Sequence, residues 1–121
     1  YECNKHKEVR IMDVVTLTKD SFRRQIEHGV TLVDFYATWC GPCKIQLPIV
    51  EELAKEVKHE ATIAKVDIDS ESDIASEYDV KSIPTLMIFK DGYRLETFVG
   101  VQSKTFLKQK IKEYTSIGDT C

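Results

Sequence analysis

The sequence predicts an α/β protein, a mixed four- to five-stranded β-sheet flanked by helices on both faces. Three observations carry this. Apolar, β-branched runs alternate with segments of helical period. The run "VTLVDFYA", residues 30–37, is almost unbroken in its apolar character, as a strand covered on both faces must be. Asp91-Gly92 separates two further strand-like runs, which adds an antiparallel hairpin to sheet pairs joined by helices.

Taken in order, "VRIMDVVTL" (9–17) reads as the first strand. "TKDSFRRQIEHG" follows as a helix capped by Thr18 or Asp20, with Phe22 and Ile26 on one face and Gly29 at its end. After the strand at 30–37, a helix begins near Pro42, since proline loses nothing in a first helical turn. Leu47, Val50, Ala54 and Val57 mark its apolar face, widened by Ile49 and Leu53. Pro48 lies inside it, where proline kinks a helix. "ATIAKVDI" (61–68) is a third strand. "SESDIASEYDV" (70–80) is a short helix with Ser70 and Asp73 at capping-box spacing. "PTLMIFK" (84–90) and "YRLETFVG" (93–100) form the hairpin. "SKTFLKQKIKEYT" (103–115) closes the chain as an amphipathic helix with Phe106, Leu107, Ile111 and Tyr114 inward. No repeat or low-complexity linker breaks the order. The 121 residues are read as one domain, with 1–8 and 116–121 as short extensions.

Composition removes several classes of function. The net charge is −3 and no basic cluster stands out, which argues against nucleic-acid binding. No apolar run approaches the roughly 20 residues that span a bilayer. His28 and His59 fall in polar surroundings, and no Ser–His–Asp set, phosphate loop or pair of catalytic carboxylates emerges.

The chemistry concentrates in "WCGPCK", residues 39–44. A Cys-X-X-Cys pair is a zinc clamp, a structural disulfide or a redox dithiol. A Cys40–Cys43 bridge closes a very short loop and so restrains the unfolded chain little. For zinc, Cys3 and His6 would complete a nominal four-ligand set. Pro42 and the helix after it instead suit a turn that stabilises a thiolate, because a helix N-terminus offers unpaired N–H groups and partial positive charge. Cys40, at the helix start, is then the nucleophile, and Cys43 lies one turn further in. Asp34 interrupts the buried run that leads into this turn. A buried carboxyl tends to hold its proton and suits a role as proton carrier for Cys43. Lys65, on the next strand, is either its partner or a solvated strand residue.

"TLVDFYATWCGPCK", "AKVDID", "SIPTLMIFKDG" and "FVG" together resemble the thioredoxin family, over about residues 11–115. The resemblance implies a protein-disulfide reductase. It makes Cys40 the attacking cysteine, Cys43 the resolving one, Asp34 the buried acid and Lys65 the lysine beside it. It makes Pro84 a cis-proline opposite the dithiol, which leaves the Ile83 backbone open to an extended substrate. Trp39, Gly41, Pro42, Ile83, Pro84, Val99 and Gly100 become the docking surface; on residues alone, Val99 and Gly100 read as a strand end and a turn. No cofactor or metal is implied beyond the redox-active Cys40–Cys43 disulfide. The implied partners are protein disulfides and a thioredoxin reductase or equivalent electron donor. Rival readings are a thioredoxin-like subunit or scaffold of a larger assembly, and a secretory-pathway oxidase or isomerase. Tyr36 departs from the Trp or Ser common at its place, and Cys3 and Cys121 have no counterpart in the family. They leave open a monomer, a weak dimer or a disulfide-linked one. Location also stays open: cytoplasm by family default, an organelle or the secretory route because residue 1 is Tyr and not Met.

Overall fold

The computed structural model describes residues 14–115. Five strands and four helices alternate as β1 (Val14–Thr16), α1 (Lys19–Ile26), β2 (Val30–Tyr36), α2 (Gly41–Val57), β3 (Thr62–Asp67), α3 (Ser72–Glu77), β4 (Thr85–Lys90), β5 (Tyr93–Val99) and α4 (Lys104–Thr115). The sheet has five strands in the order β1-β3-β2-β4-β5. β1 and β2 both run parallel to β3, while β4 is antiparallel to β2 and to β5. The mixed sheet is therefore as expected, with β2 at its centre.

Side-chain alternation along β2 divides the interior into two layers. Val30 and Leu32 pack with Ile63, Leu86 and Ile88 under Val50, Leu53 and Val57 of α2 and Leu107 and Ile111 of α4. Val33 and Phe35 face the other way, with Val66, Met87 and Phe89, against Phe22 and Ile26 of α1 and Ile74 of α3. Helices cover both faces, which is why β2 is apolar throughout except at Asp34 and Thr31.

Several element boundaries differ from the sequence reading. Of the first predicted strand, Val14–Thr16 is strand and residues 9–13 lie outside the described residues. Thr18, rather than Asp20, caps α1, and its backbone N–H donates to Ser21 Oγ at 3.0 Å. α2 runs unbroken through Pro48. Its buried stripe is Cys43, Gln46, Val50, Leu53, Ala54 and Val57, with Leu47 and Ile49 only half-buried. α3 is shorter than predicted, and Glu71 stands at its N-cap in place of Ser70. Glu71 instead accepts the backbone N–H of Lys19 at 2.8 Å, so tertiary contact redirects the local cap. Phe106 is not inward. It is 37% exposed, and its ring stacks edge-on against Phe98 at 5.1 Å.

The β4–β5 turn has positive φ at both central residues, +50° at Asp91 and +95° at Gly92, as a tight hairpin of this hand requires. It is also pinned to the end of α1. Gly29 N–H donates to Asp91 Oδ1 at 2.9 Å, and Gly92 N–H donates to Ile26 O at 2.8 Å. A Cβ at Gly92 would meet no atom within 4 Å, so a substitution there is penalised through the backbone alone. Gly92→Ala should destabilise the protein by about 1 kcal/mol, read as a lower midpoint in urea unfolding with an unchanged slope.

Candidate active site

The C-terminal ends of β2, β3 and β5 and the N-terminal end of β4 meet at one end of the sheet, because Tyr36 pairs with Asp67, Phe35 with Thr85 and Thr85 with Val99. The four loops that leave these ends form the site. The β2–α2 loop brings Cys40 to the N-cap of α2, with extended backbone (φ −90°, ψ 118°). Gly41 and Pro42 make the exposed first turn. Cys40 and Cys43 are joined as a disulfide, with their Cα atoms 5.3 Å apart. Cys40 Sγ accepts the Cys43 backbone N–H at 3.2 Å. One N–H of the helix start therefore points at this sulfur, and its place at the positive end of the helix favours negative charge there. Both cysteines are nearly enclosed, 4% and 3% exposed, in a small cluster with Ala37 and the half-buried Tyr36, Ile68 and Ile83.

The residues expected to form a docking surface occupy the same end of the sheet. Ile83–Pro84 is a cis peptide bond, and Ile83 O lies 3.8 Å from Cys40 Sγ. Pro84 is buried, and its carbonyl accepts the Gly100 N–H at 2.8 Å, which ties the β5 exit to the Pro84 loop. Trp39 and Val99 are 66% and 62% exposed. The Trp39 indole is held in place by its Nε1–H, which donates to Asp69 Oδ2 at 2.8 Å. Trp39, Gly41, Pro42, Ile83, Pro84, Val99 and Gly100 thus lie in the loops, the start of α2 and the end of β5 at the disulfide end of the sheet.

Asp34 sits on the α2 side of the sheet and is fully buried. Neither carboxylate oxygen has a hydrogen-bond partner. Desolvation pushes its pKa up from 3.8 to about 7, although the Lys65 charge pulls the other way. Lys65 is the register partner of Asp34 in the parallel β2–β3 ladder and is half-buried. Its ammonium lies over the Tyr36 ring, 5.7 Å from the centroid. Burial also raises the Tyr36 pKa, and Asp67 and Asp34 add to the rise.

Sequence reasoning missed Gln46. It is fully buried on α2, one turn beyond Cys43. Its Nε2 donates to Gln102 O at 3.0 Å, and its Oε1 accepts the Gln102 N–H at 2.7 Å. This two-way clamp fixes the loop after Gly100 against the active-site helix. A signal was present: Gln46 is the one polar residue in the buried stripe Cys43, Gln46, Val50, Leu53, Val57. The metal-binding alternative drew on Cys3 and His6, which lie outside the described residues. Among the described residues, no three His, Cys, Asp or Glu side chains are grouped to hold a metal ion.

Comparison with known proteins agrees with this geometry. The thioredoxin family model matches residues 13–113. Thioredoxins of Staphylococcus aureus strains Mu50 and MW2 are each 45% identical over 103 residues, which is 85% of this chain and 99% of theirs. The chain belongs to the thioredoxin family. A mutant thioredoxin from Halobacterium salinarum NRC-1 superposes with a TM-score of 0.80 at 37% identity, covering 89% of this chain and 96% of its own. A chain from a structure of the thiol-resolving mechanism of yeast mitochondrial 1-Cys peroxiredoxin via glutathione/thioredoxin systems gives a TM-score of 0.75 at 34% identity, covering 83% and 94%. The thioredoxin fold and the Cys-X-X-Cys pair at disulfide distance make this chain a thiol–disulfide oxidoreductase that works as a protein-disulfide reductase. Thioredoxins as a family need no added cofactor, and membership brings disulfide substrates and reductase donors as partners. No helix among the described residues is long and apolar enough to cross a membrane.

The burial of Asp34 has a measurable cost. The unfolded carboxyl ionises near 3.8, the native one near 7. Between these values the native state holds more protons, so stability falls as pH rises through the window. The loss is complete above pH 7 and amounts to about 4 kcal/mol. Asp34→Ala should therefore be more stable than the parent at pH 8, by a few kcal/mol, with both proteins oxidised. The advantage should shrink to about zero or reverse at pH 4, where the parent carboxyl is neutral and only the small cavity remains. Guanidinium unfolding at the two pH values checks this; a difference independent of pH would refute it.

Proposed function

We propose that Cys40 attacks and Cys43 resolves, with Asp34 carrying the Cys43 proton and Lys65 tuning Asp34. The observation that carries this reading is the Cys40 sulfur at the N-cap of α2, accepting the Cys43 N–H. In the reduced protein, Cys40 thiolate attacks one sulfur of a client disulfide. The client S–S bond breaks, a mixed disulfide forms, and the released client thiolate takes a proton from water. Asp34 carboxylate then accepts the Cys43 proton. The Cys43 thiolate attacks Cys40 Sγ, the mixed disulfide breaks, and the second client thiolate leaves. Two electrons have moved to the client, and Cys40–Cys43 is oxidised. The enclosed, unpartnered carboxyl of Asp34 supports the proton step, because a pKa near 7 lets it both take and return a proton at neutral pH.

The finer partner assignment follows from the same surface. An extended client segment pairs with the Ile83 backbone and packs on Trp39, Gly41, Pro42, Pro84, Val99 and Gly100. Support comes from the exposure of Trp39 and Val99 beside a nearly enclosed disulfide. A thioredoxin reductase or equivalent donor restores the dithiol, and the chain acts as a monomer or a weak or disulfide-linked dimer. Residues 1–121 act as one domain with short terminal extensions.

Two measurements in a Cys3→Ser, Cys121→Ser background test the reading. Cys43→Ser should accumulate a mixed disulfide with a client protein through Cys40, whereas Cys40→Ser should trap nothing. Thioredoxin is the reference reductant, with a potential near about −270 mV against about −180 mV for protein disulfide isomerase. Equilibration of the parent dithiol with a dithiothreitol series should place it near the first value. Trapping through Cys43 would reverse the two roles, and a potential in the isomerase range would move the protein to oxidative folding.

A further inference from the structure

We propose that Tyr36 is a positioning residue: the face of its ring holds the Lys65 ammonium off the Asp34 carboxylate and so limits how far Lys65 can act on it. The proposal rests on the proton-carrier reading of Asp34, but its test reads the carboxyl directly.

The geometry is unusual for a cation beside a buried acid. Lys65 and Asp34 are register partners on adjacent parallel strands, so their side chains leave the same face of the sheet. Asp34 nevertheless has no hydrogen bond to either oxygen. The Lys65 Nζ is instead 5.7 Å from the centroid of the Tyr36 ring, within the range of a cation–π contact. Tyr36 is itself fixed, because it packs into the cluster of Ala37, Cys40, Cys43, Ile68 and Ile83. The tether is therefore built into the wall of the redox site, two residues along the same strand from Asp34.

Other charges near this face do not replace the tether. β3 adds Asp67, beside Tyr36 in the ladder, but its Oδ1 already accepts the Asp69 N–H at 2.9 Å. β4 places uncharged Leu86 against Asp34, and β1 places uncharged Thr16 against Lys65. α2 contributes the Cys40 and Cys43 sulfurs and neutral Gln46, and α4 reaches this side of the sheet through Leu107 and Ile111. If the ring is removed, the flexible ammonium is left with Asp34 as the unsatisfied acceptor in reach. Closer approach would favour the ionised carboxyl, because an opposite charge nearby stabilises the charged form.

The test is the pH titration of the Asp34 carboxyl carbon by NMR, in the oxidised and reduced protein. Tyr36→Leu should lower the Asp34 midpoint by about one pH unit, while Tyr36→Phe, which keeps the ring, should leave it in place. In a Lys65→Met background, Tyr36→Leu should produce no further shift. An unmoved midpoint in Tyr36→Leu overturns the proposal, and so does an upward shift. A downward shift that persists without Lys65 also overturns it, since the ring would then act by excluding water. Should Tyr36→Leu fail to fold, the Lys65 Hε protons of the parent decide: an upfield ring-current shift is expected, and its absence overturns the tether. Failure of the Asp34 role would appear separately, as an Asp34→Asn variant that reduces client disulfides at the parent rate.

Discussion

The register of β2 between β3 and β4 governs the site. Hydrogen-bonded ladders on both sides fix which way every side chain of β2 points. A slip of one residue would turn Asp34 from the α2 side to the α1 side and move Val33 and Phe35 into its place. The same register sets Lys65 opposite Asp34 and brings Tyr36 level with Asp67. Burial of the two apolar layers resists any such slip, since each layer fills only when Val30 and Leu32 face one way and Val33 and Phe35 the other. The placing of Asp34, Lys65 and Tyr36 thus follows from strand register and core packing rather than from the active-site loop.

That packing also sustains an unfavourable group. A carboxyl without a hydrogen-bond partner is destabilising once ionised, and the charge of Lys65 relieves it only in part. The fold tolerates Asp34 because the surrounding sheet and α2 are held by many apolar contacts. In the proposed mechanism, what stability loses at neutral pH, proton transfer gains. A carboxyl poised near neutrality can take up and return a proton where an exposed one would stay ionised. Lys65 moderates the effect without pairing, and the Tyr36 ring occupies its ammonium.

The rim of the site is held by polar contacts that contribute through position. Gln46 ties α2 to the loop after Gly100, the Pro84 carbonyl ties the same loop to β4, and Asp69 fixes the Trp39 indole. Apolar surface at Trp39 and Val99 stays exposed at this rim, as the proposed docking of an extended chain requires. The cation-rich face of α4 meets acids of α2 and of the turn after it: Lys104 and Lys108 pair with Glu52 and Glu56 of α2, and Lys112 with Glu60 just beyond its end. These pairs are partly or fully solvated and contribute little to stability.

The sequence by itself determined the order of elements, the central buried strand, the hairpin at Asp91-Gly92 and the dithiol at a helix start. These are local signals: periodicity, turn residues and the placing of Pro42 act over a few residues. The buried acid was legible as well, because a lone Asp34 in an apolar run stands out without any knowledge of its neighbours. Tertiary structure decided what depends on distant residues. It put Glu71 rather than Ser70 at the start of α3, with the Glu71 carboxylate bound to the Lys19 N–H, and it left Phe106 on the surface against Phe98. It gave Gln46 a role, since a buried amide declares its purpose only when Gln102 is beside it. It also directed the Lys65 ammonium to an aromatic face instead of a carboxylate. A strand pattern fixes the face from which a side chain departs, but its terminal charge settles by competition among groups that only the folded chain brings together.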